Sequence, residues 1–80
     1  MKEHDAFLKA FGESLKLLRL DRGLSYRKMS QRCEVDYSDI SKIEKGMVNI
    51  QLSTVAELAK ALDVPVKELF DFGGTENSSD

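Results

Sequence analysis

The chain has 80 residues, with 12 basic and 14 acidic side chains and a net charge of −2 at pH 7. This length accommodates one small domain, near the lower limit at which a single hydrophobic core is stable without cross-links. The one cysteine, Cys33, excludes an intrachain disulfide framework and a cysteine-rich metal site, and with no signal peptide in the sequence it favours the cytoplasm.

The first helix is predicted over residues 5–22, where Gly23 offers a left-handed C-terminal cap. Apolar residues repeat along it at spacings of three and four: Phe7, Leu8, Phe11, Leu15 and Leu18. The first three of these extend either the core or a dimer surface. Helical periodicity of this kind, with Pro65 as the only proline, predicts an all-α fold.

Two short helices follow. Ser25 is the expected N-cap of a second helix that ends near Cys33, and Asp36 is the expected N-cap of a third helix that ends at Gly46. Only two or three residues separate these helices, so they must cross steeply. Two short helices joined by a tight turn, between longer helices, form a helix-turn-helix arrangement.

The third helix has two different sides. Ile40 and Ile43 are spaced to face the core, whereas the opposite side carries hydrogen-bond donors. These donors are Tyr37, Ser38, Ser41, Lys42 and Lys45. The pattern is typical of a solvated surface or of a helix that reads a ligand.

The C-terminal part contains the strongest apolar stripe of the chain: Leu52, Val55, Leu58, Ala59 and Leu62. This stripe predicts a fourth helix after a loop at residues 47–51. Pro65 opens a short fifth helix that holds Leu69 and Phe70. The predicted organisation is an extension of the first helix (residues 1–11), a helix-turn-helix domain (residues 12–71) and a disordered acidic tail (residues 72–80).

The local charge differs from the net charge. Residues 16–45 carry eight basic and five acidic side chains, whereas residues 63–80 carry five acids and only Lys67. A basic region beside an acidic tail is compatible with a polyanionic partner, because steering depends on the local field. No apolar run approaches the roughly 18 residues of a membrane span, and His4 has no neighbouring metal ligands, so no metal or cofactor is expected.

Residues 12–70 resemble the Cro and phage-repressor type of helix-turn-helix domain, often called the XRE family. The most specific features are Ile-Ser-x-Ile-Glu-x-Gly at residues 40–46 and Leu-Ala-x-Ala-Leu-x-Val at residues 58–64. The resemblance implies a compact five-helix, lambda-repressor-like domain with its helix-turn-helix at the second and third helices. It also implies that the third helix enters the major groove of double-stranded DNA.

Residue by residue, the resemblance assigns base contacts to Tyr37, Ser38, Ser41 and Lys42. Lys42 has the chemistry to donate to guanine, the two serines serve donors or acceptors, and the Tyr37 ring suits a thymine methyl. Asp39 has two open roles, either accepting from cytosine N4 or interacting favourably with the helix dipole.

Phosphate contacts are predicted for a second group, which surrounds the third helix. Arg27 and Lys28 are candidates that are equally consistent with solvated surface charges. The full group is Tyr26, Arg27, Lys28, Lys45, Gly46 and Asn49.

Other positions matched by the resemblance have structural roles or depart from the family pattern. Arg19 and Glu44 match an ion pair that ties the first helix to the third. Tyr26 replaces the usual glutamine, and Glu34 replaces a frequent glycine, which costs about 1 kcal/mol if the backbone there has a positive φ. Cys33 stands at an alanine position and is expected to be a small buried hydrophobe rather than a redox sensor.

These features predict a sequence-specific transcriptional regulator, a repressor that binds a palindromic operator as a homodimer, and not an enzyme. The expected dimer seam is Val66, Leu69, Phe70 and Phe72. The absence of a ligand-binding domain suits restriction-modification controller proteins, small phage repressors and antitoxins. The alternative from another class is a protein-interaction module, such as an antitoxin that masks its toxin.

Overall fold

The structure is a computed structural model that describes residues 4–72. Four α-helices and a C-terminal 3-10 helix make up this region, which confirms the all-α prediction. The α-helices are α1 (Asp5–Asp21), α2 (Tyr26–Ser30), α3 (Tyr37–Glu44) and α4 (Leu52–Leu62), and the 3-10 helix is Val66–Phe70. No helix in residues 4–72 is both long enough and apolar enough to cross a membrane.

The prediction of five α-helices is wrong in its last element. After Pro65 the chain makes i→i+3 hydrogen bonds, from Glu68 N to the Pro65 carbonyl at 2.9 Å and from Asp71 N to the Glu68 carbonyl at 3.4 Å. A five-residue segment closes too few i→i+4 bonds to offset the cost of nucleating an α-helix. Short connecting pieces of this kind commonly form 3-10 turns instead.

The predicted helix caps are present. The Ser25 side chain accepts a hydrogen bond from Lys28 N, and the Asp36 side chain accepts one from Ser38 N, both at 3.1 Å. Gly23 has a φ of +70°, as the left-handed cap after α1 requires. The helix ends differ from those predicted, because α2 stops at Ser30 and its last turn continues with i→i+3 bonds as far as Cys33.

The core lies where α1, α3, α4 and the 3-10 helix meet, and α2 covers one side. Six side chains are fully enclosed: Leu15, Met29, Ile40, Leu58, Leu62 and Leu69. Ile40 and Ile43 both face inward, which confirms the prediction for the apolar side of α3. Each large apolar side chain buried in this way stabilises the fold by about 1.5–3 kcal/mol.

Some side chains lie elsewhere than predicted. Leu52 is 85% exposed because it is the first residue of α4, where the chain has not yet turned onto the core. Cys33 is half-buried, and its Sγ lies 3.5 Å from the Met29 carbonyl oxygen. Glu34 is not strained, since Asp63 is the only non-glycine residue with a positive φ in the described region.

Candidate nucleic-acid interface

The turn of the helix-turn-helix is fastened to α4. The backbone N–H of Glu34 donates to Glu57 Oε1 at 3.0 Å, and Arg32 Nη1 donates to the Ala61 carbonyl at 3.2 Å. The hydrogen bond from Glu34 N, and then the contact with Lys60, holds the pKa of Glu57 below its usual value. These contacts hold the turn between α2 and α3 against α4, and they do not involve the exposed residues of α3.

The structure brings the predicted base-reading residues onto one side of α3. Tyr37, Ser38 and Lys42 are exposed and Ser41 is half-buried, while the isoleucines point in the opposite direction. Tyr37 and Ser41 are four residues apart, as are Ser38 and Lys42, so each pair lies on neighbouring turns of the same face. The polar face is therefore continuous over the whole of α3.

The Ser38 hydroxyl is already oriented by its neighbour. It donates to Asp36 Oδ2 at 2.6 Å, and this bond is the main reason why the pKa of Asp36 is lowered. A hydroxyl has one hydrogen and two lone pairs. With its hydrogen on Asp36, Ser38 presents acceptor lone pairs to a ligand, and this suits a base-edge donor such as the cytosine or adenine amino group.

Tyr26 does not have the free hydroxyl that its predicted phosphate contact needs. Its O–H donates to Glu44 Oε1 at 3.1 Å, and its ring lies 4.2 Å from Arg19 Cζ. The hydroxyl has only one hydrogen to give. In this conformation the hydroxyl hydrogen is used within the protein, and Tyr26 joins α2 to α1 and α3. The phosphate contact of Tyr26 stays a prediction.

Three of the predicted phosphate contacts lie at or just after the end of α3. Lys45 and Asn49 are exposed and make no side-chain hydrogen bond within residues 4–72. The backbone N–H of Gly46 donates to the Ile43 carbonyl at 3.0 Å, because the chain reverses there with a φ of +71°. This N–H is therefore used in closing the helix, and the contact of the Gly46 backbone with a phosphate stays a prediction.

Arg19 and Glu44 form a buried, two-pronged ion pair between α1 and α3. Arg19 Nε donates to Glu44 Oε2 at 2.6 Å, and Nη2 donates to Oε1 at 3.0 Å. The third nitrogen, Nη1, donates to the Leu24 carbonyl at 2.9 Å. The hydrogen bonds to Glu44 raise the pKa of Arg19 above its usual value. The pair holds the C-terminal end of α3 at a fixed position relative to α1.

Two further lysines lie beside the predicted contacts. Lys9 and Lys16 on α1 line a cleft of about 370 Å³ together with Tyr26, Glu44 and Lys45. Neither lysine was singled out from the sequence. Their spacing of seven residues, which places them on one face of α1, is the signal that was available.

Residues 10–71 match the family model described as a helix-turn-helix domain. The chain belongs to the XRE type of helix-turn-helix transcription regulators. It is 35% identical over 63 residues to the control protein C.BamHI of Bacillus amyloliquefaciens, and the match covers 78% of each chain.

Solved structures agree with this assignment. The restriction-modification controller protein C.AhdI from Aeromonas hydrophila superposes with a TM-score of 0.82 at 36% identity, over 86% of this chain and all of that one. The hypothetical transcription factor NHTF from Neisseria superposes with a TM-score of 0.71 at 30% identity, over 78% of this chain and 72% of that one. These relatives are regulators, in agreement with the prediction that the chain is not an enzyme.

Proposed function

We propose that this regulator binds a palindromic operator in double-stranded DNA as a homodimer, in the cytoplasm, and represses transcription there as a controller protein of a restriction-modification system. The observation that carries the proposal is the exposed polar face of α3. Tyr37, Ser38 and Lys42 are exposed on it, while Ile40 and Ile43 on the inner face are buried in the core. An α-helix of this kind has the width to enter the major groove.

Exposed polar side chains near the helix-turn-helix in the sequence support the proposal. The side chains of Lys28, Lys45 and Asn49 are exposed and make no hydrogen bond or ion pair among the described residues. Groups of this type neutralise or bind phosphates and fix the register of a protein on DNA. The small number of basic contacts implies a shallower dependence of affinity on salt than in strongly basic proteins.

The DNA-binding proposal is tested by selecting binding sites from random duplex DNA. We expect the wild type to enrich a palindrome whose two halves lie about 34 Å apart. Lys42→Ala and Ser38→Ala should each relax the motif at a defined position and lose about 1–3 kcal/mol of discrimination.

Lys67→Ala is the matched control, since Lys67 is an exposed lysine of the 3-10 helix outside the α3 face. It should enrich the wild-type motif unchanged. If the wild type enriches nothing even at low salt, the regulator does not read sequence.

The proposed dimer seam is an apolar surface around the 3-10 helix. Val66 is 43% exposed and Phe70 is 40% exposed, and the Phe72 ring lies 6.4 Å from the Phe70 ring. Phe7, which is 52% exposed, stacks on Phe70 with 6.5 Å between ring centroids. Exposed apolar surface of this kind is typical of a protein contact. Leu69 does not belong to the seam, because it is fully buried in the core.

Sedimentation velocity over a dilution series tests the seam. We expect the wild type to dimerise, and Val66→Glu to weaken the dimer by at least about tenfold, since an unpaired charge would be buried in the contact. Leu20→Glu is the control, because Leu20 is an exposed apolar residue of α1 outside the seam. A wild type that stays monomeric at about 50 µM and on operator DNA would remove the seam from the proposal.

The alternative function, a protein-interaction module such as an antitoxin, has one observation in its favour. A groove of about 540 Å³ lies between α1 and the end of the 3-10 helix, and Leu17, Leu18 and Phe72 are its large apolar lining residues. Glu13, Glu68 and Asp71 also line it, and no basic residue does. A stoichiometric partner that co-purifies with the chain, combined with no enriched DNA motif, would favour this function over operator binding.

A further inference from the structure

The contact between Arg27 and Tyr37 crosses the turn of the helix-turn-helix. Arg27 is the second residue of α2 and Tyr37 is the first residue of α3. The Arg27 guanidinium lies over the Tyr37 ring, with Cζ 4.6 Å from the ring centroid. The sequence predicts separate roles for the two residues, a phosphate contact for Arg27 and a base contact for Tyr37.

Other interactions of the fold do not account for the position of Arg27. Both ion pairs of the described region, Arg19–Glu44 and Lys60–Glu57, leave Arg27 out. Its guanidinium makes no hydrogen bond within residues 4–72. The N-terminus of α3 carries the positive end of the helix dipole, which does not attract a cation. Stacking on the tyrosine is thus what holds the guanidinium there.

This stacking leaves the recognition chemistry of the guanidinium intact. A guanidinium presents five N–H donors in a planar fork, and stacking on a ring occupies its face and not its N–H edges. The fork matches the O6 and N7 acceptors of guanine in the major groove. A side chain that is already ordered also loses less entropy on binding than a free one.

We infer that Arg27, held on the Tyr37 ring, reads a base pair in the major groove and does not serve as a phosphate contact. Tyr37 is then the platform that positions Arg27. The inference rests on the proposed function, because it presupposes that the α3 face enters the groove. It adds to that face a specificity-determining residue that belongs to α2, and it selects guanine as the preferred base.

Arg27→Lys separates the two roles of Arg27. Lysine keeps the positive charge, so a phosphate contact would survive, but it lacks the planar fork and stacks poorly. We expect selection from random duplex DNA to show one base pair per half-site relaxed by roughly 5- to 100-fold, while the slope of log affinity against log salt stays at the wild-type value.

The platform is tested with Tyr37→Phe and Tyr37→Ala. Phenylalanine keeps a ring under the guanidinium, so the base pair read by Arg27 should remain selected. Alanine removes the ring, and the same base pair that relaxes in Arg27→Lys should relax. Thermal unfolding followed by circular dichroism checks that each variant is folded.

Lys28→Ala is the matched control, since Lys28 is the adjacent exposed residue of α2 and makes no side-chain contact with a ring. It should weaken all sequences equally. The inference is overturned if Arg27→Lys enriches the wild-type motif unchanged while Arg27→Ala lowers the salt slope by about 1, because that pattern is typical of a phosphate contact. If Arg27→Lys and Tyr37→Ala relax different base pairs, Tyr37 does not position Arg27 and its role as the platform is overturned.

The proposed function fails differently. If the wild type enriches no motif, operator reading is lost and the role of Arg27 is lost with it. If the wild type enriches a palindrome that Lys42→Ala relaxes and Arg27→Lys does not, only the inference about Arg27 is lost.

Discussion

Replacing Gly12 with alanine should lower the free energy of unfolding by about 3 kcal/mol or more, at the upper end of the range for overpacking. Gly12 is a buried residue of α1 where the helix crosses the end of α3. A Cβ atom built there lies 2.5 Å from the Ile43 carbonyl oxygen and 2.7 Å from the Glu44 carbonyl carbon. Both are backbone atoms, so the clash is relieved only by moving one helix away from the other.

The loss is large relative to the total stability, which for a domain of this size is about 4–12 kcal/mol. It should also affect function, because a displaced α3 no longer presents its exposed face at the same angle. Urea unfolding followed by circular dichroism gives the change in stability, and operator binding well below the transition gives the change in function.

Gly23→Ala is the matched control. Gly23 has a φ of +70°, but no other heavy atom lies within 4 Å of a Cβ built on it. Alanine there should cost only the left-handed conformation, about 1 kcal/mol. If Gly12→Ala costs no more than Gly23→Ala, then α1 and α3 can separate freely, and the close approach is not needed.

The two glycines illustrate what the sequence predicts and what it does not. Gly23 follows an amphipathic helix, so its role as a cap follows from local order, as do the caps at Ser25 and Asp36. Gly12 stands within a helix, and its importance comes from a carbonyl group more than 30 residues away in the chain. Nothing in the local pattern identifies the part of α3 that approaches it.

The predicted site divides in the same way. The side of α3 that faces outward followed from helical periodicity, because Ile40 and Ile43 settle the inward direction. The hydrogen-bond state of Tyr26 did not follow, since its partner Glu44 is 18 residues away. Tyr26 stands at a position where the family usually has a glutamine. Only the structure shows that the Tyr26 hydroxyl reaches Glu44 of the Arg19–Glu44 ion pair.

The prediction of the dimer seam was incomplete for a different reason. Leu69 and Phe70 are adjacent apolar residues of a short segment, and the sequence does not decide which one faces the core. The 3-10 geometry turns Leu69 inward and leaves Phe70 partly exposed beside Phe7. The spacing of Leu52 places it in the apolar stripe of α4, but Leu52 is exposed because the first residue of a helix often lies beyond the surface on which the later turns pack.

Glu44→Ala should destabilise the regulator by about 3–5 kcal/mol, because it leaves the charge of Arg19 buried without a partner. The Arg19 side chain is 8% exposed and the Glu44 side chain is 2% exposed, so water does not readily replace the lost carboxylate. Arg19 Nε and Nη2 lose their acceptors, and the Tyr26 hydroxyl loses the oxygen to which it donates.

The size of this loss does not measure how much the ion pair stabilises the fold. Removing both charges together, in Arg19→Met with Glu44→Leu, should recover most of the stability, since apolar side chains of similar volume need no partner. We expect urea unfolding to place this double variant within about 2 kcal/mol of the wild type and well above Glu44→Ala. A loss below about 1 kcal/mol in Glu44→Ala would mean that the pair behaves as a solvated surface contact. The operator affinity of the folded double variant then tests whether the ion pair, rather than stability alone, holds α3 at its DNA-binding angle.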